Sequence, residues 1–489
     1  MNVPILKNNI RLHRTAEQGI IMLAVGYNDT NEDQNERGDK LHSTPINYAP
    51  INIDGYIVDY LSLCDGTRDK ETIDMLFLDK HDSFLAQSLA HNAWEWLKTN
   101  SEVVELYDEI LPEKKSIPLT GTRNSFYPLH ASIEIIETCN FHCAHCYYSA
   151  SPYKKGILSL DNAIEILDRL HANGVIGVEL TGGECTIHPS FRQILDYATN
   201  LFSMVAIISN GYKIGTDREL SKYIAGKNNV IVQISVDAIG ERHNKFRKHK
   251  NAFNPAIEAI CRMVEYGIPT RMASSISEEN IDQILDLYLL AKKIDVSVIS
   301  FAPVASIGRG CNITEQAHGS KKIIDAISDV LAPYHGDPIL GNSNTQANEL
   351  ELGYEPTNNC GAGWRTFTID YDGEVRACGF ARESKKFGNL LNDDYSLIFG
   401  QKSNFLFNNA PSPGGKECIG CKYYMNCAGC FVKAFMVSET EYKECPWRKK
   451  WFGDMPLGKD KFSKVKSAEV IFSELPRQEN THICNNCSN

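Results

Sequence analysis

A run of eight residues holds three cysteines, Cys139, Cys143 and Cys146, in the spacing C-x3-C-x2-C. Three thiolates this close together suit a cubic four-iron cluster that the protein holds at three corners. The fourth iron then has no protein ligand and can bind another molecule, so chemistry can take place there. A cluster with four protein thiolates usually carries only electrons. The triplet therefore predicts an iron–sulfur centre that takes part in a reaction.

Seven further cysteines crowd into a later part of the chain. They are Cys360, Cys378, Cys418, Cys421, Cys427, Cys430 and Cys445. The two C-x2-C pairs in this set could form a tetrahedral zinc site of four thiolates. Such a site would leave Cys360, Cys378 and Cys445 unused, so zinc alone does not account for the set.

Two short motifs place polar groups at the ends of predicted strands. Thr181-Gly182-Gly183-Glu184 follows the predicted strand Gly177–Leu180. Its glycines allow the backbone to approach a ligand closely, and Glu184 could accept a hydrogen bond from an amine, although an ordinary turn is the alternative. Ser235 and Asp237 end the predicted strand Val230–Val236, where alternating residues share a face. Their hydroxyl and carboxylate would point together into one cavity and suit a ribose diol, but a pair of strand-end caps explains them equally well.

The elements that must position these residues alternate between strands and helices. The predicted strands are Ala131–Ile136, Gly177–Leu180, Val205–Ser209, Val230–Val236, Thr270–Ser274 and Val296–Phe301. The amphipathic helices predicted between them are Leu160–His171, Ser190–Asn200, Asp217–Gly226, Pro255–Tyr266 and Glu279–Lys292. This repetition predicts an α/β fold with a parallel sheet curved as a partial (β/α)6 TIM barrel. Functional residues of such folds lie at the C-terminal ends of the strands, and the cysteine triplet follows the first strand.

Smaller units flank the predicted barrel. We predict an α+β unit at 1–108, a linker at 109–128, the barrel at 129–345, a cysteine-rich unit at 346–455 and a polar tail at 456–489. In the cysteine-rich unit, Asp372-Gly373 predicts a hairpin turn. That unit shows little apolar core of its own, so we expect metal ligation to hold it together. Cys484 and Cys487 in the tail have no assigned role and are interpreted as exposed thiols.

The composition fits a cytoplasmic protein. The chain has 489 residues, 43% of them hydrophobic, and a net charge of −11. The negative charge gives no general reason to expect nucleic-acid binding. Neither a membrane-spanning apolar run nor a secretory signal is visible. In a reducing compartment, clustered cysteines among the sixteen are more often metal or redox ligands than disulfides.

The triplet, the Gly-Gly-Glu motif and the Ser-x-Asp motif together resemble the radical S-adenosylmethionine (SAM) enzymes. The resemblance implies that Cys139, Cys143 and Cys146 hold a [4Fe–4S] cluster whose free iron binds the amine and carboxylate of the cofactor. In that family, one electron cleaves the cofactor to a 5′-deoxyadenosyl radical, which abstracts a hydrogen atom from the substrate. The protein positions and shields this radical.

The same resemblance implies roles for the surrounding residues. Gly182, Gly183 and Glu184 would receive the amine, and Ser235 and Asp237 the ribose. His145 stands where the family usually has an aromatic residue before the third cysteine, and it is a further candidate for cofactor binding. Arg247 and Arg271 are candidate partners of the cofactor carboxylate, with solvated surface arginines as the alternative.

The later cysteines resemble the SPASM extension of radical enzymes that modify ribosomally made peptides. That extension carries auxiliary [4Fe–4S] clusters, so the resemblance implies three clusters in all. One auxiliary cluster would be fully ligated by Cys418, Cys421, Cys427 and Cys445, and the other would be held by Cys360, Cys378 and Cys430. The sequence departs from the usual spacing, because two residues instead of three separate Cys427 from Cys430.

The cluster with three cysteines is expected to keep an open iron. Some relatives supply a fourth ligand a few residues earlier, but residues 351–359 contain no cysteine. A substrate cysteine thiolate would bind there, since an iron-bound thiol is deprotonated, and would combine with a nearby carbon radical. Cys311, on the loop after the sixth barrel strand, is the rival fourth ligand.

The N-terminal unit resembles the small winged-helix, PqqD-like domain that recognises leader peptides. The resemblance lies in Asn52–Leu63, Asp65-Gly66 and the helix after Ser83. It implies that a leader peptide adds as an extra strand to a sheet edge beside the third helix. A lid or packing domain is the alternative.

The resemblance is strongest to maturases that join a cysteine sulfur to an α-carbon, the subtilosin-A type of sactionine synthase. The cues include Thr181-Gly182-Gly183-Glu184, Cys360-Gly361-Ala362-Gly363-Trp364 and the Cys427-x2-Cys430 spacing. We therefore expect a radical enzyme that forms intramolecular thioethers in a precursor peptide, with flavodoxin or ferredoxin as electron donor. Attack at Cα, Cβ or Cγ, epimerisation, carbon–carbon crosslinking and decarboxylation use the same machinery. A zinc-stapled, non-catalytic peptide-binding protein is the alternative of a different class.

Overall fold

The computed structural model describes residues 2–16, 18–25, 47–81, 84–313, 318–340, 359–382, 386–414, 416–427 and 430–453. The predicted polar tail of residues 456–489, with Cys484 and Cys487, lies outside these described residues. None of the described helices has both the length and the apolar character that crossing a membrane requires.

The described strands form three sheets. The strands are β1 (Val3–Leu6), β2 (Ile10–Arg14), β3 (Gln18–Val25), β4 (Asn47–Asp54), β5 (Val104–Tyr107), β6 (Leu119–Gly121), β7 (His130–Ile136), β8 (Gly177–Gly182), β9 (Met204–Ser209), β10 (Val230–Ser235), β11 (Thr270–Ile276), β12 (Val298–Pro303), β13 (Thr366–Ile369), β14 (Glu374–Arg376) and β15 (Lys386–Asn389). The helices are α1 (Gly55–Leu61), α2 (Lys70–Lys80), α3 (Ala86–Thr99), α4 (Leu160–Ala172), α5 (Phe191–Leu201), α6 (Tyr212–Thr216), α7 (Arg218–Ala225), α8 (Glu241–Arg247), α9 (Phe253–Glu265), α10 (Ile284–Ile294), α11 (His318–Leu331), α12 (Tyr395–Phe399), α13 (Lys402–Asn409), α14 (Tyr424–Cys427), α15 (Phe431–Thr440) and α16 (Pro446–Phe452).

The central sheet confirms the predicted partial barrel. Its strand order is β12-β11-β10-β9-β8-β7-β13-β14-β15, and the run from β7 to β12 is parallel throughout. The connecting helices lie close to their predicted positions. A short additional helix, α6, precedes the predicted helix Asp217–Gly226. Asp217 separates the two helices because its side chain accepts a hydrogen bond from the Leu220 amide and so caps α7.

The two faces of the barrel strands differ in what they contact. On β10, Val230, Val232 and Ile234 are buried in the core beneath the helices, whereas Gln233 and Ser235 are only partly buried. Because successive strand residues alternate between faces, the partly buried residues point to the barrel interior, where they line a hollow. Closed barrels of this type fill their interior with layers of side chains. The hollow interior of this barrel therefore leaves room for ligands.

The cysteine-rich unit continues the barrel sheet. β13 pairs in parallel with β7, and β14 and β15 follow as antiparallel strands. The predicted hairpin at Asp372-Gly373 is present between β13 and β14, with Gly373 at φ 85°. Arg376 of β14 forms an ion pair with Glu134 of β7, and both side chains are 1% exposed. The unit is therefore joined to the barrel by both backbone and charged contacts.

The expectation that the cysteine-rich unit has little apolar core is wrong. Buried aromatic rings surround Phe407, at centroid distances of 5.3 Å (Phe452), 5.6 Å (Phe431), 5.8 Å (Phe435) and 6.0 Å (Phe387). These rings come from separate short elements with no common periodicity, which is why the sequence pattern did not reveal them. Aromatic packing therefore supports this unit in addition to its thiols.

The N-terminal unit has the predicted α+β composition. Antiparallel strands β2, β3 and β4 form a sheet whose other edge strand, β6, comes from the predicted linker. A separate pair, β1 and β5, and helices α1 to α3 complete the unit around its own core. This unit packs against the barrel end opposite to the cysteine triplet. Ile20 and Met22 of β3 contact Leu129 and Ile176, which directly precede β7 and β8.

The buried side chain of His13 on β2 lies at this contact. Its ring nitrogens are 2.8 Å from Thr120 Oγ1 and 3.2 Å from the Tyr127 carbonyl oxygen. Gly174 packs against the ring, where an added Cβ would come within 2.5 Å of the His13 Nδ1 atom. Burial lowers the pKa of His13 to about 4, although the hydrogen bond with Tyr127 opposes this shift. The ring is therefore neutral in the folded protein at neutral pH.

Acidification should weaken this contact. The unfolded chain protonates His13 near pH 6.5, whereas the folded chain does so only near pH 4. The contribution of the neutral ring to stability is therefore complete above pH 6.5 and falls by ~3 kcal/mol by pH 4. In thermal scans between about pH 7 and pH 4.5, the melting temperature of His13→Gln should depend less on pH than that of the wild type. The exposed His91, changed to Gln, is the control, and equal pH dependence in all three proteins would contradict the assignment.

Candidate active site

A cavity of about 460 Å³ opens at the C-terminal ends of the barrel strands. Its lining brings together most of the residues that the sequence predicted to bind a cofactor. They are Cys139, Cys143, His145, Cys146, Gly182, Gly183, Ser235, Arg247 and Arg271. Glu184 and Asp237, also predicted, are buried behind this lining.

The cysteine triplet lies on the loop after β7 and receives polar contacts from the barrel. The Sγ atom of Cys139 accepts from the Phe141 amide at 3.4 Å and from Asn210 Nδ2 at 3.9 Å. Arg247 Nη1 lies 3.9 Å from the Sγ atom of Cys143. Burial nevertheless raises the pKa of Cys143 to about 11, against the lowering effect of the Arg247 charge. The thiols therefore need a further positive partner to ionise at neutral pH, which iron would supply.

A second loop, after β12, holds the cysteine loop in place, and sequence reasoning missed it. Arg309 donates through Nε to the Cys143 carbonyl at 2.7 Å and through Nη2 to the Ala150 carbonyl at 2.8 Å. Gly308 permits this close approach, because a Cβ atom there would lie 2.3 Å from the Tyr147 carbonyl oxygen. Only the fold shows that Gly308-Arg309 faces the triplet, since about 160 residues separate them in the sequence.

The two glycines after β8 are required by the neighbouring strand. Gly182 has φ 128°, and an added Cβ atom would lie 2.3 Å from the Ile136 carbonyl oxygen. At Gly183 a Cβ atom would lie 2.2 Å from the Thr138 carbonyl oxygen. The Gly183 amide donates to the Ile136 carbonyl at 2.6 Å. The glycines therefore dock β8 against the start of the cysteine loop, and the surface that they add to the cavity is backbone.

The carboxylate of Glu184 is held by several donors. Its Oε1 atom accepts from the Thr186 hydroxyl at 2.6 Å and the Ser209 hydroxyl at 2.8 Å, and its Oε2 atom accepts from the Asn210 amide at 2.7 Å. The residue is 1% exposed. A carboxylate held this firmly presents a fixed negative charge beside the Gly182-Gly183 backbone, where a cofactor amine is predicted.

Ser235 and Asp237 do not point together into the cavity, as the sequence had suggested. Ser235 ends β10 and lines the cavity, but the regular alternation of the strand stops there. Asp237 is fully buried, with its Oδ2 atom 2.6 Å from Arg247 Nε and its Oδ1 atom accepting from the Ser275 amide at 2.9 Å. Burial alone would raise its pKa, yet the charges of Arg247 and of nearby histidines lower the pKa of Asp237 to about 2. The Asp237 carboxylate therefore orients Arg247 and does not itself line the cavity.

His145 offers a polar atom with no partner. Its ring stacks on Phe246 at a centroid distance of 4.3 Å, and its Nε2 atom lies 3.7 Å from Asp237 Oδ2. The Nδ1 atom is buried and has no hydrogen-bond partner in the described part of the chain. Burial lowers the pKa of His145 to about 4. Three thiols, a neutral buried ring and the cationic Arg247 around one cavity fit a cluster with an amino-acid-derived cofactor.

The later thiols fall into two neighbourhoods, each with sulfurs close enough to raise one another's pKa. Burial raises the pKa of Cys378 to about 12, and the next contributions come from Cys430 and Cys360. Burial also raises the pKa of Cys427 to about 12, and the further contributions come from Cys445, Cys418, Cys421 and Cys430. Cys430 contributes to both neighbourhoods, and the assignment of each thiol to a cluster stays a prediction.

The loop after Cys378 forms one wall of the cavity. Phe380 lines the cavity, and its ring packs edge-on against Tyr147 at a centroid distance of 5.1 Å. Gly379 lies against the same tyrosine, where an added Cβ atom would be 3.4 Å from the ring. Tyr147 directly follows Cys146, so the segment after the triplet touches the segment after Cys378. Sequence reasoning did not identify either aromatic residue.

Comparisons with known proteins were made against families, sequences and structures. Residues 133–291 match the family model of the radical SAM superfamily, and residues 360–430 match that of the SPASM iron–sulfur cluster-binding domain. The chain is 28% identical over 466 residues to the antilisterial bacteriocin subtilosin biosynthesis protein AlbA of Bacillus subtilis (strain 168), covering 91% of this chain and 96% of AlbA. It is 26% identical over 307 residues to the sporulation killing factor maturation protein SkfB of the same organism, which covers 62% of this chain and 72% of SkfB. The crystal structure of Streptococcus suis SuiB bound to precursor peptide SuiA shares the fold, with a TM-score of 0.57, 15% identity, and coverage of 89% of this chain and 97% of SuiB.

Iron content should report on the two later thiol sets separately. Cys378→Ala and Cys427→Ala should each lower the iron retained after anaerobic reconstitution, by up to about four atoms per chain where a whole cluster is lost. Cys261→Ala, on the exposed side of α9, is the matched control. Cys311→Ala should also retain wild-type iron, and a loss of iron in that variant would make Cys311 the fourth ligand of the Cys378 cluster.

Removing the charge of Asp237 should loosen Arg247. Asp237→Asn keeps the hydrogen bond from Ser275 but leaves the buried guanidinium without its counter-charge, which typically costs ~3–5 kcal/mol. We expect faster amide hydrogen exchange in β10 and α8 and weaker binding of iron by the triplet. Glu95→Gln, which breaks the exposed pair with Lys98 on α3, is the control and should leave both measurements unchanged. Equal exchange in the two variants would contradict a positioning role for Asp237.

Proposed function

Because the chain carries a radical SAM domain and a SPASM iron–sulfur domain, we propose that it is a peptide maturase that forms thioether crosslinks in a ribosomally made precursor. Each link would join a cysteine sulfur to a carbon atom of the same peptide. The observation that carries this proposal is the shared wall of the cavity. Phe380, two residues after Cys378, lines the same hollow as the cysteine triplet. A sulfur held near Cys378 would therefore adjoin the place where a radical is generated.

Different residues of the cavity would hold different parts of the cofactor. When bound to the cluster, SAM supplies a one-electron abstraction of hydrogen from the substrate. Cys139, Cys143 and Cys146 would hold that cluster, with Arg247 beside the Cys143 sulfur and Asp237 orienting Arg247. The Gly182-Gly183 backbone, with the charge of Glu184 behind it, would receive the amine. Ser235, which lines the cavity, would offer its hydroxyl to the ribose, and the ring of His145 would line the same cofactor site.

The two later thiol sets would hold two further clusters with different roles. Four thiols, those of Cys418, Cys421, Cys427 and Cys445, saturate one cluster. Cys360, Cys378 and Cys430 leave one iron of the other without a protein ligand. This vacancy would take the substrate thiolate, since coordination to iron removes its proton. The grouping of these three thiols is supported by their proximity, since Cys430 and Cys360 both raise the pKa of the Cys378 thiol.

The precursor peptide would be recruited by the N-terminal unit. Within the described residues, β4 pairs only with β3, so the backbone groups of its outer edge can pair with another strand. Asn92 of α3 lies close to the hydroxyl of Tyr56 in α1, the helix that directly follows β4. Strand addition binds through backbone hydrogen bonds and tolerates varied leader sequences. The AlbA and SkfB names, and the SuiA peptide of the SuiB structure, agree with a peptide substrate.

Anaerobic turnover with the cognate cysteine-bearing precursor tests this function. Each thioether removes a hydrogen atom from carbon and a proton from sulfur, and the one remaining electron would pass to the cluster held by Cys360, Cys378 and Cys430. Mass spectrometry should therefore show the loss of two hydrogens and one free thiol per link. Cys378→Ala should lose the crosslink yet still release 5′-deoxyadenosine, whereas Cys139→Ala should lose both. The electron can be supplied by reduced flavodoxin or ferredoxin.

The same experiment distinguishes the other radical outcomes. An unchanged thiol count with an altered α-carbon would indicate epimerisation, and a loss of carbon dioxide would indicate decarboxylation. Loss of two hydrogens with all thiols retained would indicate a carbon–carbon crosslink. Any of these three results would refute thioether formation. Fragmentation of the product would locate the acceptor carbon.

A further inference from the structure

The barrel interior contains a polar layer in which only Arg271 was a predicted contact of the cofactor, and none of the roles proposed above uses it. The layer consists of Glu179 on β8, Gln233 on β10 and Arg271 on β11, all of which line the floor of the active-site cavity. Gln233 and Arg271 are direct neighbours across their strands. Above them the wall carries small side chains, including Ala273 and Ala302. The polar layer is thus directly accessible from the cavity mouth.

A smaller cavity lies below this layer. It is lined by the same three polar residues and by residues at the N-terminal ends of the strands, such as His130, and it holds only about 60 Å³. That volume holds only a few water molecules. A peptide group that enters from the cysteine side therefore meets Glu179, Gln233 and Arg271 before this narrower space.

The guanidinium of Arg271 is poorly satisfied by the protein. Within the described residues, its recorded contact is a long hydrogen bond from Nη1 to Gln233 Oε1, at 3.4 Å, and no carboxylate forms an ion pair with it. Its side chain is only partly buried because it faces the hollow. A guanidinium carries five N–H donors, so most of its donor capacity is directed at the cavity.

Glu179 is also without a hydrogen-bond partner or ion pair among the described residues, although it lines both cavities. Glu179 lies on β8, which pairs with β7, the strand that leads into the cysteine loop. β9 separates β8 from β10 and β11, so the carboxylate enters the hollow from a different side than Gln233 and Arg271.

We propose that this layer binds an amide group of the precursor peptide, with Arg271 and Gln233 donating to its carbonyl oxygen and Glu179 accepting from its N–H. The inference rests on the proposed function. A neutral amide matches the set, because it presents one acceptor and one donor to a cation and a carboxylate on different sides. A carboxylate ligand would approach Glu179, and an ammonium ligand would approach Arg271, at a cost in both cases. Binding an amide also satisfies partly buried polar groups that otherwise lack partners.

Holding an amide at this depth would fix the acceptor residue of the peptide below the cluster. A main-chain amide is bonded directly to an α-carbon, and a side-chain amide to Cβ or Cγ, so in each case the layer would determine which carbon faces the place where hydrogen is abstracted. Glu179, Gln233 and Arg271 are in this sense specificity-determining residues. The amide can belong to the peptide main chain or to an Asn or Gln side chain, since both present the same two groups.

Binding and coupling measurements on two variants test this assignment. Arg271→Met and Glu179→Leu remove the polar groups while keeping side-chain bulk. We expect each to weaken binding of a labelled, leader-free core peptide to the cluster-loaded enzyme on the order of tenfold, as the loss of a hydrogen bond to a charged group implies. With the full precursor, the amount of modified peptide per 5′-deoxyadenosine released should fall by a similar factor. Arg242→Met and Glu165→Leu, both on the exterior, are the matched controls.

The affinity for SAM without peptide separates this role from cofactor binding. It should stay at the wild-type value in both variants, as should the iron content. If Arg271→Met instead weakens SAM binding and leaves the core peptide affinity unchanged, Arg271 is a carboxylate partner of the cofactor and the proposal is refuted. Unchanged peptide binding and coupling in both variants would also refute it.

Modified peptides identify the source of the amide. N-methylation at one main-chain position should weaken binding to the wild type and have little further effect on Glu179→Leu, because the hydrogen bond is already absent there. If only replacement of an Asn or Gln side chain has this effect, the side chain is the ligand. Core-peptide binding is measured without turnover, so a product other than a thioether would overturn the proposed reaction and leave this inference standing.

Discussion

One strand, β7, determines where the thiol groups lie relative to each other. It pairs with β8 on one side and with β13 on the other, and it leads directly into the cysteine triplet. β13 and β14 lead into Cys378. The seam between these strands contains the ion pair of Glu134 with Arg376, which is almost completely removed from solvent. Any change in this pairing would move Cys378 relative to the triplet.

The buried charges between these strands fix the relative positions of the strands. They add less to the net free energy of folding. Burial raises the pKa of Glu134 to about 7 against the opposing effect of Arg376, so the desolvation cost is substantial. Arg382 also compensates the charge of Glu134, from which it lies 3.2 Å away, and its guanidinium lies 3.7 Å from the centre of the Tyr148 ring. Tyr148 belongs to the cysteine loop. The network therefore ties the loop that carries the triplet to the unit that carries the later thiols, and removing one member would leave a buried charge unpaired.

The sequence predicted the barrel well because its signals are local. Each barrel strand is a short apolar run, and glycines such as Gly182 and Gly183 occupy positions where neighbouring carbonyl groups exclude a Cβ atom. The orientation of Asp237 was not predictable in this way, since strand alternation ends at Ser235 and the buried contact with Arg247 then decides the side chain. Arg309 was missed because its contacts with the cysteine loop span about 160 residues.

The aromatic core of the cysteine-rich unit was missed for a related reason. Phe387, Phe407 and Phe435 come from different elements and meet only in the folded chain. Phe380 likewise has no motif, and its place in the cavity wall follows from the pairing of β13 with β7. Chemistry-bearing residues with a fixed spacing are thus visible in the sequence, while the residues that surround them depend on long-range packing.

The position of the N-terminal unit restricts how a precursor peptide can be used. That unit packs where β7 and β8 begin, whereas the active-site cavity opens where the strands end. β8 has six residues, so its two ends lie ~20 Å apart at ~3.3 Å per strand residue. Under the proposed recruitment, a leader held by the N-terminal unit would be followed by about six or more extended residues before the chain reached the cavity mouth. The core must then turn into the hollow and descend to the layer of Glu179, Gln233 and Arg271. A peptide whose leader is bound at one end of the barrel and whose amide is bound inside the barrel would have its reactive segment fixed at both ends. This double attachment would select the acceptor carbon without recognition of the side chain on that carbon.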